Sequence, residues 1–406
     1  MNHGIIRMAI ERFTISRNDD LYEAFPHLCR TRAGRIILVY RESNGHVASE
    51  FCRLILRFSD DGGLSFSERR VFVEEDRASG ILNCWNGAKI QQLDDGRILL
   101  LADRYDFPPG EWGHGMGNAH VVLWFSDDDG DTWSDPQPTN VGGICPDQVT
   151  ELPDGRWLLP TNVYHEETGQ CLQQIAVSHD GGGSWDAPDV ICDDPDYRLA
   201  EVSIIRCPDG ELVAYLREES GRRLPLQKMI SRDQGGSWEG PYDTLNTAAQ
   251  GMPIAGLTRD GFVLTTGRYG LPCSWRVDMG ATTMRRRLDR RTIVIPRVPA
   301  NEDFVARITP SPQVEFTADE VVMAAGCSTA HTFAFLEPLE SALEPDVRQQ
   351  KGLLLPLDLD RNNLGADSGY TGWVETEPGR FLVVNYINDD APMAQIRGYR
   401  FGLDDF

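Results

Sequence analysis

The sequence predicts an all-β chain that folds as a six-bladed β-propeller with four-stranded antiparallel blades and few helices. Three observations lead to this prediction: an eight-residue motif that occurs four times, a glycine-containing turn that occurs six times, and short apolar stretches beside both. Units of four short strands that repeat every ~40–60 residues are typical of propellers.

The eight-residue motif has the form Ser-x-Asp-x-Gly-x-Ser/Thr-aromatic. Its four copies begin at Ser59, Ser126, Ser178 and Ser231. In tight turns, Asp and Ser side chains bond nearby backbone N–H groups and glycine accepts a positive φ. The aromatic ring can pack between neighbouring sheets. The motif therefore predicts a β-hairpin turn in each of four blades.

The second repeat is a turn between two strands, and it interleaves with the first. Its glycines are Gly34, Gly96, Gly155, Gly210, Gly261 and Gly379. Successive intervals are 62, 59, 55, 51 and 118 residues. Six turns predict six blades. The long last interval favours an insertion at about residues 285–360, although a seventh blade would also account for it.

The two ends of the chain are expected to meet in one blade. The stretch Ile5–Ser16 alternates in the manner of a β-strand, and it could pair with the last strand, Ala394–Phe401. Such pairing would close the ring. Because no linker interrupts the chain, residues 1–406 are expected to form one domain.

Composition excludes several kinds of function. The chain of 406 residues carries 62 acidic and 39 basic residues, a net charge of −23. This field would repel nucleic acids and anionic membranes, so neither is an expected partner. A local arginine cluster could still hold an anionic small molecule. The nine cysteines lack zinc-binding spacing and no nucleotide motif is present, so neither metal nor cofactor is expected.

The localisation expected from the sequence is cytoplasmic. The chain contains no apolar run of 18 or more residues, and residues 1–20 lack the features of a secretory signal. Scattered cysteines of odd number are most simply reduced, buried thiols, which fits the same compartment.

The register of the turns selects two sets of residues that should face the central channel. Seven residues after each turn glycine stand Arg41, Asp103, Asn162, Arg217, Arg268 and Tyr386. Nine residues before it stand Phe25, Gly87, Pro146, Glu201, Met252 and Tyr370. Equivalent positions of the blades lie at one depth, and adjacent strands are antiparallel. Both sets are therefore expected at one end of the channel.

These residues suggest recognition of an anion and nucleophilic chemistry. Three guanidinium groups in a concave site can clamp a carboxylate or sulfate, and Asp103, Asn162 and Tyr386 are further candidate substrate-binding residues. A tyrosine is a poor nucleophile unless a neighbouring carboxylate accepts its proton. Glu201 is the candidate carboxylate for Tyr370. Each of these residues could instead serve a structural role.

On these motifs the chain resembles the sialidase (neuraminidase) superfamily, whose propellers carry the eight-residue repeat, known as the Asp box. Leu199–Ile204 is similar to the family segment with the glutamate that assists the nucleophile, and Ser368–Thr371 to the segment with the nucleophilic tyrosine. The segments that end at Arg217 and Arg268 resemble those bearing two arginines of the substrate-binding triad. The resemblance is weakest at about residues 285–360.

Two departures from the family pattern concern the site. The family has Arg-Ile-Pro in blade one, where this chain has Ala24–Pro26, so the first triad arginine is absent. Arg41 is a plausible replacement. The family's acid/base aspartate lies in the loop before the first Asp box, which here spans Glu42–Glu50. His46 is the preferred acid/base candidate, with Glu50 as the alternative.

The resemblance implies a retaining exo-glycosidase for an acidic, carboxylate-bearing terminal sugar, with Tyr370 as nucleophile. One alternative is a uronate polysaccharide lyase that uses His46 and Tyr370 as base and acid. The other is a non-catalytic glycan-binding propeller. In each case the expected partner is an acidic sugar or glycan, and the chain could form an oligomer.

Overall fold

The computed structural model describes most of the chain. The described residues are 10–46, 50–74, 82–107, 119–164, 171–220, 224–245, 251–270, 285–286, 292–296, 314–316, 320–324, 330–359, 367–389 and 391–406. Among these the only α-helix is one turn, α1 (Leu339–Ala342), beside a 3₁₀ turn at Leu403–Asp405. No helix in the described ranges is long and apolar enough to cross a membrane.

Six four-stranded antiparallel sheets form the blades of the propeller, as the sequence predicted. The strand that opens the chain is β1 (Glu11–Ser16). The first blade contains β2 (Tyr22–Arg30), β3 (Ile36–Ser43), β4 (Cys52–Ser59) and β5 (Arg70–Glu74). The second contains β6 (Leu82–Gln92), β7 (Ile98–Phe107), β8 (His120–Ser126) and β9 (Gln137–Gly142). The third contains β10 (Thr150–Glu151), β11 (Trp157–Tyr164), β12 (Cys171–Ser178) and β13 (Asp189–Val190).

The second half of the ring repeats this order. The fourth blade contains β14 (Leu199–Arg206), β15 (Leu212–Glu218), β16 (Gln227–Ser231) and β17 (Glu239–Asp243). The fifth blade begins with β18 (Ile254–Leu257) and β19 (Phe262–Gly270). Between these strands and the rest of the blade stand β20 (Arg285–Arg286), β21 (Thr292–Pro296), β22 (Val314–Phe316) and β23 (Glu320–Ala324).

The fifth blade is completed from the segment that the sequence assigned to an insertion. Its third and fourth strands are β24 (Ala330–Pro338) and β25 (Leu353–Leu359), and β24 pairs with β19 along nine residues. Residues 330–359 therefore belong to the blade, and the expected insertion at 285–360 is too long at its C-terminal end. The separation of β19 from β24 in sequence concealed this pairing. The strands β20, β21, β23 and β22 form a sheet of their own.

The ring closes by pairing the two ends of the chain. The sixth blade contains β26 (Ser368–Glu377), β27 (Arg380–Ile387) and β28 (Gln395–Gly402), with β1 as its outer strand. Antiparallel β1–β28 pairing runs from Glu11 opposite Arg400 to Ser16 opposite Ile396. This confirms the expected meeting of the termini. Closure of a ring of sheets leaves only short strand edges exposed.

The Asp-box turns join the third and fourth strands of the first four blades and touch the preceding blade. In the second blade, Asp128 accepts hydrogen bonds from the Thr132 backbone N (2.8 Å) and from the Ser126 hydroxyl (2.9 Å). Gly130 has a φ of 83°, and a Cβ there would lie 2.8 Å from Ile37 of the first blade. Glycine thus permits both the turn and the approach of the neighbouring blade.

Glu23 connects the first blade with the closing strand. Its buried carboxylate accepts a hydrogen bond from the Ser16 hydroxyl of β1 at 2.6 Å. Burial raises the pKa of Glu23 to about 7, although the hydrogen bond from Ser16 opposes the shift. The folded protein therefore retains a proton at Glu23 over a pH range in which the unfolded chain has lost it.

We expect the free energy of unfolding to fall as pH rises, because Glu23 then loses its proton while it remains buried between the first blade and β1. The folded-state pKa is raised, so the stabilisation is complete below the unfolded value near 4.5 and is lost as pH approaches about 7. Glu23→Gln should remove this dependence and gain about 2 kcal/mol over wild type between pH 5 and pH 8. Denaturant unfolding at several pH values measures the difference. Glu11→Gln, an exposed change on the same closing strand, is the control, and equal pH curves for wild type and Glu23→Gln would contradict the prediction.

Candidate active site

A tyrosine, a glutamate and an arginine from two blades meet at the centre of the ring. The Tyr370 hydroxyl donates a short hydrogen bond to Glu201 Oε1. Arg217 Nη1 donates to Glu201 Oε2 at 2.7 Å and to Tyr370 Oη at 3.2 Å. The second nitrogen, Arg217 Nη2, pairs with Glu219 Oε1 at 2.8 Å. The contact between Tyr370 and Glu201 that the sequence led us to expect is present.

The innermost strands bend at the points that carry these residues. The first strands of neighbouring blades contact one another, with β2 against both β6 and β26, so they line the centre of the ring. Pairing shifts register between Ala200 and Ser203 in β14, and Glu201 in this bulge has a φ of 45°. Phe25, in the corresponding bulge of β2, has a φ of 56°. Such backbone is costly for residues other than glycine and is concentrated at functional sites.

Glycine at position 369 allows a second arginine to approach Tyr370. Gly369 has a φ of 97°, and a Cβ there would collide with the side chain of Arg268. The Arg268 guanidinium carbon lies 5.3 Å from the centre of the Tyr370 ring, and Nη1 donates to the Ser368 carbonyl at 3.2 Å. The positive charges of Arg217 and Arg268 therefore flank the Tyr370 ring and hydroxyl.

The charges at the site determine where its protons reside. Burial by itself raises the pKa of Glu201, but the charge and hydrogen bond of Arg217 outweigh it, and the pKa lies below its ordinary value. Burial, followed by the negative charge of Glu201, raises the pKa of the Tyr370 hydroxyl. The resting site therefore holds an ionised Glu201 beside a neutral Tyr370. This glutamate is poised to accept the phenolic proton when the tyrosine reacts.

Phe25 occupies the bulge of β2, directly after Ala24, which stands where the sialidase pattern has arginine, and aromatic rings surround Phe25. Its ring centre lies 5.4 Å from that of Tyr370 and 5.3 Å from that of Tyr386. The Arg41 guanidinium stacks on its other side at 4.3 Å. This stacking gives Tyr370 an apolar neighbour on the side of the first blade.

Arg41 is turned toward the protein rather than toward a ligand. Only 2% of the residue is exposed. Its guanidinium donates to the carbonyl oxygens of Gly45 (3.3 Å) and His46 (2.5 Å) and to Asn86 Oδ1 (3.2 Å). That Arg41 replaces the absent triad arginine stays a prediction, and its burial and its internal bonds do not favour it. Its neighbours favour a role in holding Gly45 and His46 in place, because both terminal nitrogens, Nη1 and Nη2, already donate within the protein.

His46 lies beside this cluster and contacts a carboxylate that the sequence analysis missed. Its Nδ1 is 2.7 Å from Asp367 Oδ2. Asp367 also accepts a short hydrogen bond from Tyr22 and one of 2.7 Å from Tyr386, and it lies 3.7 Å from Arg268 Nη1. The His46 side chain is 52% exposed, whereas that of Asp367 is 20% exposed. The accessible group of this pair is therefore the imidazole.

Three other sequence candidates lie outside these direct contacts. Asp103 is fully buried and bonds to Asn86 Nδ2 at 3.0 Å, so it reaches the site only through the amide that also binds Arg41. Asn162 is buried against Cys171 Sγ at 3.8 Å. Glu50 is exposed, and its backbone N bonds to Asn44. Tyr386, in contrast, does join the site through Asp367.

Two residues that the sequence analysis missed, Tyr22 and Asp367, stand at the same distance from a turn glycine. Counting further back from each glycine would have found them. Tyr22 stands twelve residues before Gly34, and Asp367 stands twelve residues before Gly379. Both lie at the start of an innermost strand, beside the bulge. Lys89 was also missed, because a lysine at a strand-core position gives no repeat signal. It is fully buried, and burial lowers its pKa despite nearby carboxylates.

The described ranges contain no group of three His, Cys, Asp or Glu side chains arranged to hold a metal ion. The site offers a neutral tyrosine with a carboxylate proton acceptor, two flanking arginines and an exposed imidazole.

We expect the Glu201–Arg217 pair to stabilise the fold as well as the site. Arg217→Met would leave a buried carboxylate without its cation, and it should lower the free energy of unfolding by about 3 kcal/mol. In the variant, burial raises the pKa of Glu201, because Arg217 no longer opposes it. The loss of stability should therefore grow as pH rises and Glu201 has to ionise without its partner. Denaturant unfolding of the single variants and of Arg217→Met/Glu201→Gln measures the coupling.

The double variant should recover part of the stability, since it removes the unpaired charge. Arg156→Met, which breaks a surface pair with Asp154, is the control and should cost under about 0.5 kcal/mol. Additive effects of the two site substitutions would contradict the prediction.

Comparison with known proteins agrees with this architecture. Residues 73–227 match the family described as BNR repeat-like domain. A sialidase of Paraclostridium sordellii is 26% identical over 233 residues, which cover 50% of this chain and 55% of that protein. The chain thus matches about half the length of this curated relative.

Solved structures share the fold at low identity. A protein of unknown function from Dyadobacter fermentans superposes with a TM-score of 0.64 at 18% identity, covering 97% of this chain and 99% of the other. Trypanosoma rangeli sialidase gives 0.60 at 11%, covering 97% and 59%. The Ruminococcus gnavus intramolecular trans-sialidase gives 0.57 at 12%, covering 95% of each. The chain is therefore a six-bladed propeller with the sialidase type of fold, and its residues 73–227 match the BNR repeat-like family.

Proposed function

We propose that this chain is a retaining exo-glycosidase that acts on a terminal sugar bearing a carboxylate. The observation that carries the proposal is the hydrogen bond from Tyr370 to Glu201, with Arg217 bonded to both. Tyrosine is the nucleophile of sialidases, an exception among glycosidases. Trypanosoma rangeli sialidase has been crystallised with sialic acid, and with 2,3-difluorosialic acid as a covalent intermediate.

Bond formation at Tyr370 would be the first step. Its oxygen attacks the anomeric carbon, and the phenolic proton passes to Glu201 as the new C–O bond forms. The bond from the anomeric carbon to the leaving oxygen breaks, and that oxygen takes a proton from His46. Burial and the negative charge of Glu201 raise the pKa of Tyr370, so transfer of the proton has to accompany attack.

Water would release the sugar in the second step. The imidazole of His46, now neutral, takes a proton from water as the water oxygen attacks the anomeric carbon. The bond to Tyr370 breaks, and the phenolate regains its proton from Glu201. The two displacements restore the original anomeric configuration.

The charges favour a substrate with its carboxylate near the reacting carbon. An anionic nucleophile would be repelled by such a carboxylate, whereas the neutral Tyr370 is not. Arg268 and Arg217 flank Tyr370, and 20% of each side chain is exposed. Guanidinium groups bind carboxylates through charge-assisted hydrogen bonds. These two arginines are the residues we assign to substrate binding.

Hydrolysis of a fluorogenic α-sialoside by wild type and by Tyr370→Phe tests the proposal. We expect turnover by wild type and a loss of at least about 10³-fold in the variant, because the nucleophile is gone. Tyr215→Phe is the matched control, since the Tyr215 hydroxyl also donates to a glutamate, Glu337, at 2.7 Å but outside the site. Full activity of Tyr370→Phe would overturn the proposal. Turnover of a uronate glycan to an unsaturated, ultraviolet-absorbing product, with none of the sialoside, would favour a lyase instead.

A 2,3-difluorinated sialosyl donor should trap the covalent intermediate. The fluorines slow the second step more than the first, so intact-protein mass spectrometry should show one added sugar, and peptide mapping should place it on Tyr370. The Tyr370→Phe protein should remain unlabelled, whereas Tyr215→Phe should be labelled like wild type. Attachment at another residue would exclude Tyr370 as the nucleophile.

A further inference from the structure

Asp367 is bonded to groups from four parts of the propeller. Tyr22 belongs to β2, Tyr386 to β27 and Arg268 to β19, and His46 follows β3. Burial alone would raise the pKa of Asp367, but the hydrogen bond and charge of His46 and the two tyrosine hydroxyls lower it to about 2. The carboxylate is therefore ionised whenever the fold is intact. It is held on several sides and cannot turn away from His46 without losing these bonds.

His46 is fixed by this carboxylate and by aromatic edges. Its ring centre lies 5.4 Å from that of Phe25 at 85°, and 6.1 Å from that of Tyr22 at 77°. The main chain is also held, because Arg41 donates to the carbonyl of His46. Nδ1 faces Asp367, so a proton on Nδ1 is bonded there and Nε2 is left for another partner.

Phe25 contacts both the imidazole and the ring of the proposed nucleophile. The rings of His46 and Tyr370 both lie 5.4 Å, centre to centre, from the ring of Phe25. A sugar seated over Tyr370 would therefore have the exposed imidazole beside it. A histidine acts as acid in one step and base in the next only if the same nitrogen faces the substrate in both.

We propose that Asp367 is the positioning residue for His46: it holds the imidazole with Nδ1–H inward and presents Nε2 to the leaving oxygen and then to water. This inference rests on the proposed glycosidase function for its catalytic consequence, but the orientation of His46 can be measured without any substrate. No proton leaves Asp367 during the reaction. It accepts the Nδ1–H bond throughout, and the charge of the imidazolium that forms is balanced by the carboxylate.

The orientation is tested by proton-detected ¹⁵N spectroscopy of histidine-labelled protein over a pH series. His46→Gln identifies the His46 signals among the eight histidines. We expect wild type to show the neutral Nδ1–H form and Asp367→Asn to show mixed tautomers, because a neutral amide can either accept from Nδ1–H or donate to Nδ1. The other charged or titratable groups facing this pair are Tyr22, Arg41, Arg268 and Tyr386.

The catalytic consequence is tested by comparing a fluorogenic aryl α-sialoside with a methyl α-sialoside. Asp367→Asn should lower kcat roughly 10²-fold on the methyl sialoside, whose leaving oxygen needs a proton, and much less on the aryl sialoside. Glu337→Gln, which alters a buried carboxylate outside the site, is the control, and melting curves verify that both variants fold.

The outcomes separate the two proposals. An unchanged tautomer of His46 in Asp367→Asn would overturn the positioning role, whatever the activity. Equal losses on both sialosides would also overturn it, since that pattern indicates only a structural role. If wild type hydrolyses neither sialoside, the proposed function fails for sialosides, and the spectroscopic result alone decides the inference on Asp367.

Discussion

The pairing of β1 with β28 is the constraint on which the rest of the structure depends. Each blade buries one face against the blade before it and the other against the blade after it, so an open ring would expose two apolar faces. Leu38 of the first blade and Leu382 of the sixth belong to one buried cluster. The site has the same dependence, because its residues come from the first, fourth, fifth and sixth blades, and only a closed ring brings these together.

Within the ring, β-bulges in the innermost strands position the residues of the site. Regular antiparallel pairing would alternate side chains between the two faces of a blade. The bulges in β2, β14 and β26 break this alternation near the channel, and they bring Phe25, Glu201 and Tyr370 toward one another. The positive φ of Phe25 and Glu201 is unfavourable for these residues. Packing against the neighbouring blades stabilises this backbone, and for Glu201 so does the ion pair with Arg217 of the same blade.

Charge is balanced at the site in spite of the strongly acidic chain. Arg217 pairs with Glu201 and Glu219, and Arg268 lies 3.7 Å from Asp367, while Arg41 binds backbone carbonyls and an amide oxygen. The arrangement holds Glu201 and Asp367 ionised, and it leaves Tyr370 neutral. A protein with a net charge of −23 can thereby offer guanidinium groups to an anionic ligand at one point of its surface.

The sequence by itself determined the propeller, its number of blades and most of the central residues. The turn motifs depend on local backbone conformation, so they can be recognised in the sequence. Residues at a constant distance from the turn lie at one depth in every blade. Counting from the turn glycines therefore selected Glu201, Arg217, Arg268 and Tyr370. The count did not reveal which way each side chain turns. Only the tertiary structure decided that Arg41 is buried beneath Phe25 and that Asp367 bonds to His46. These contacts join residues up to 321 positions apart, and they depend on bulges and ring closure, which no local pattern encodes.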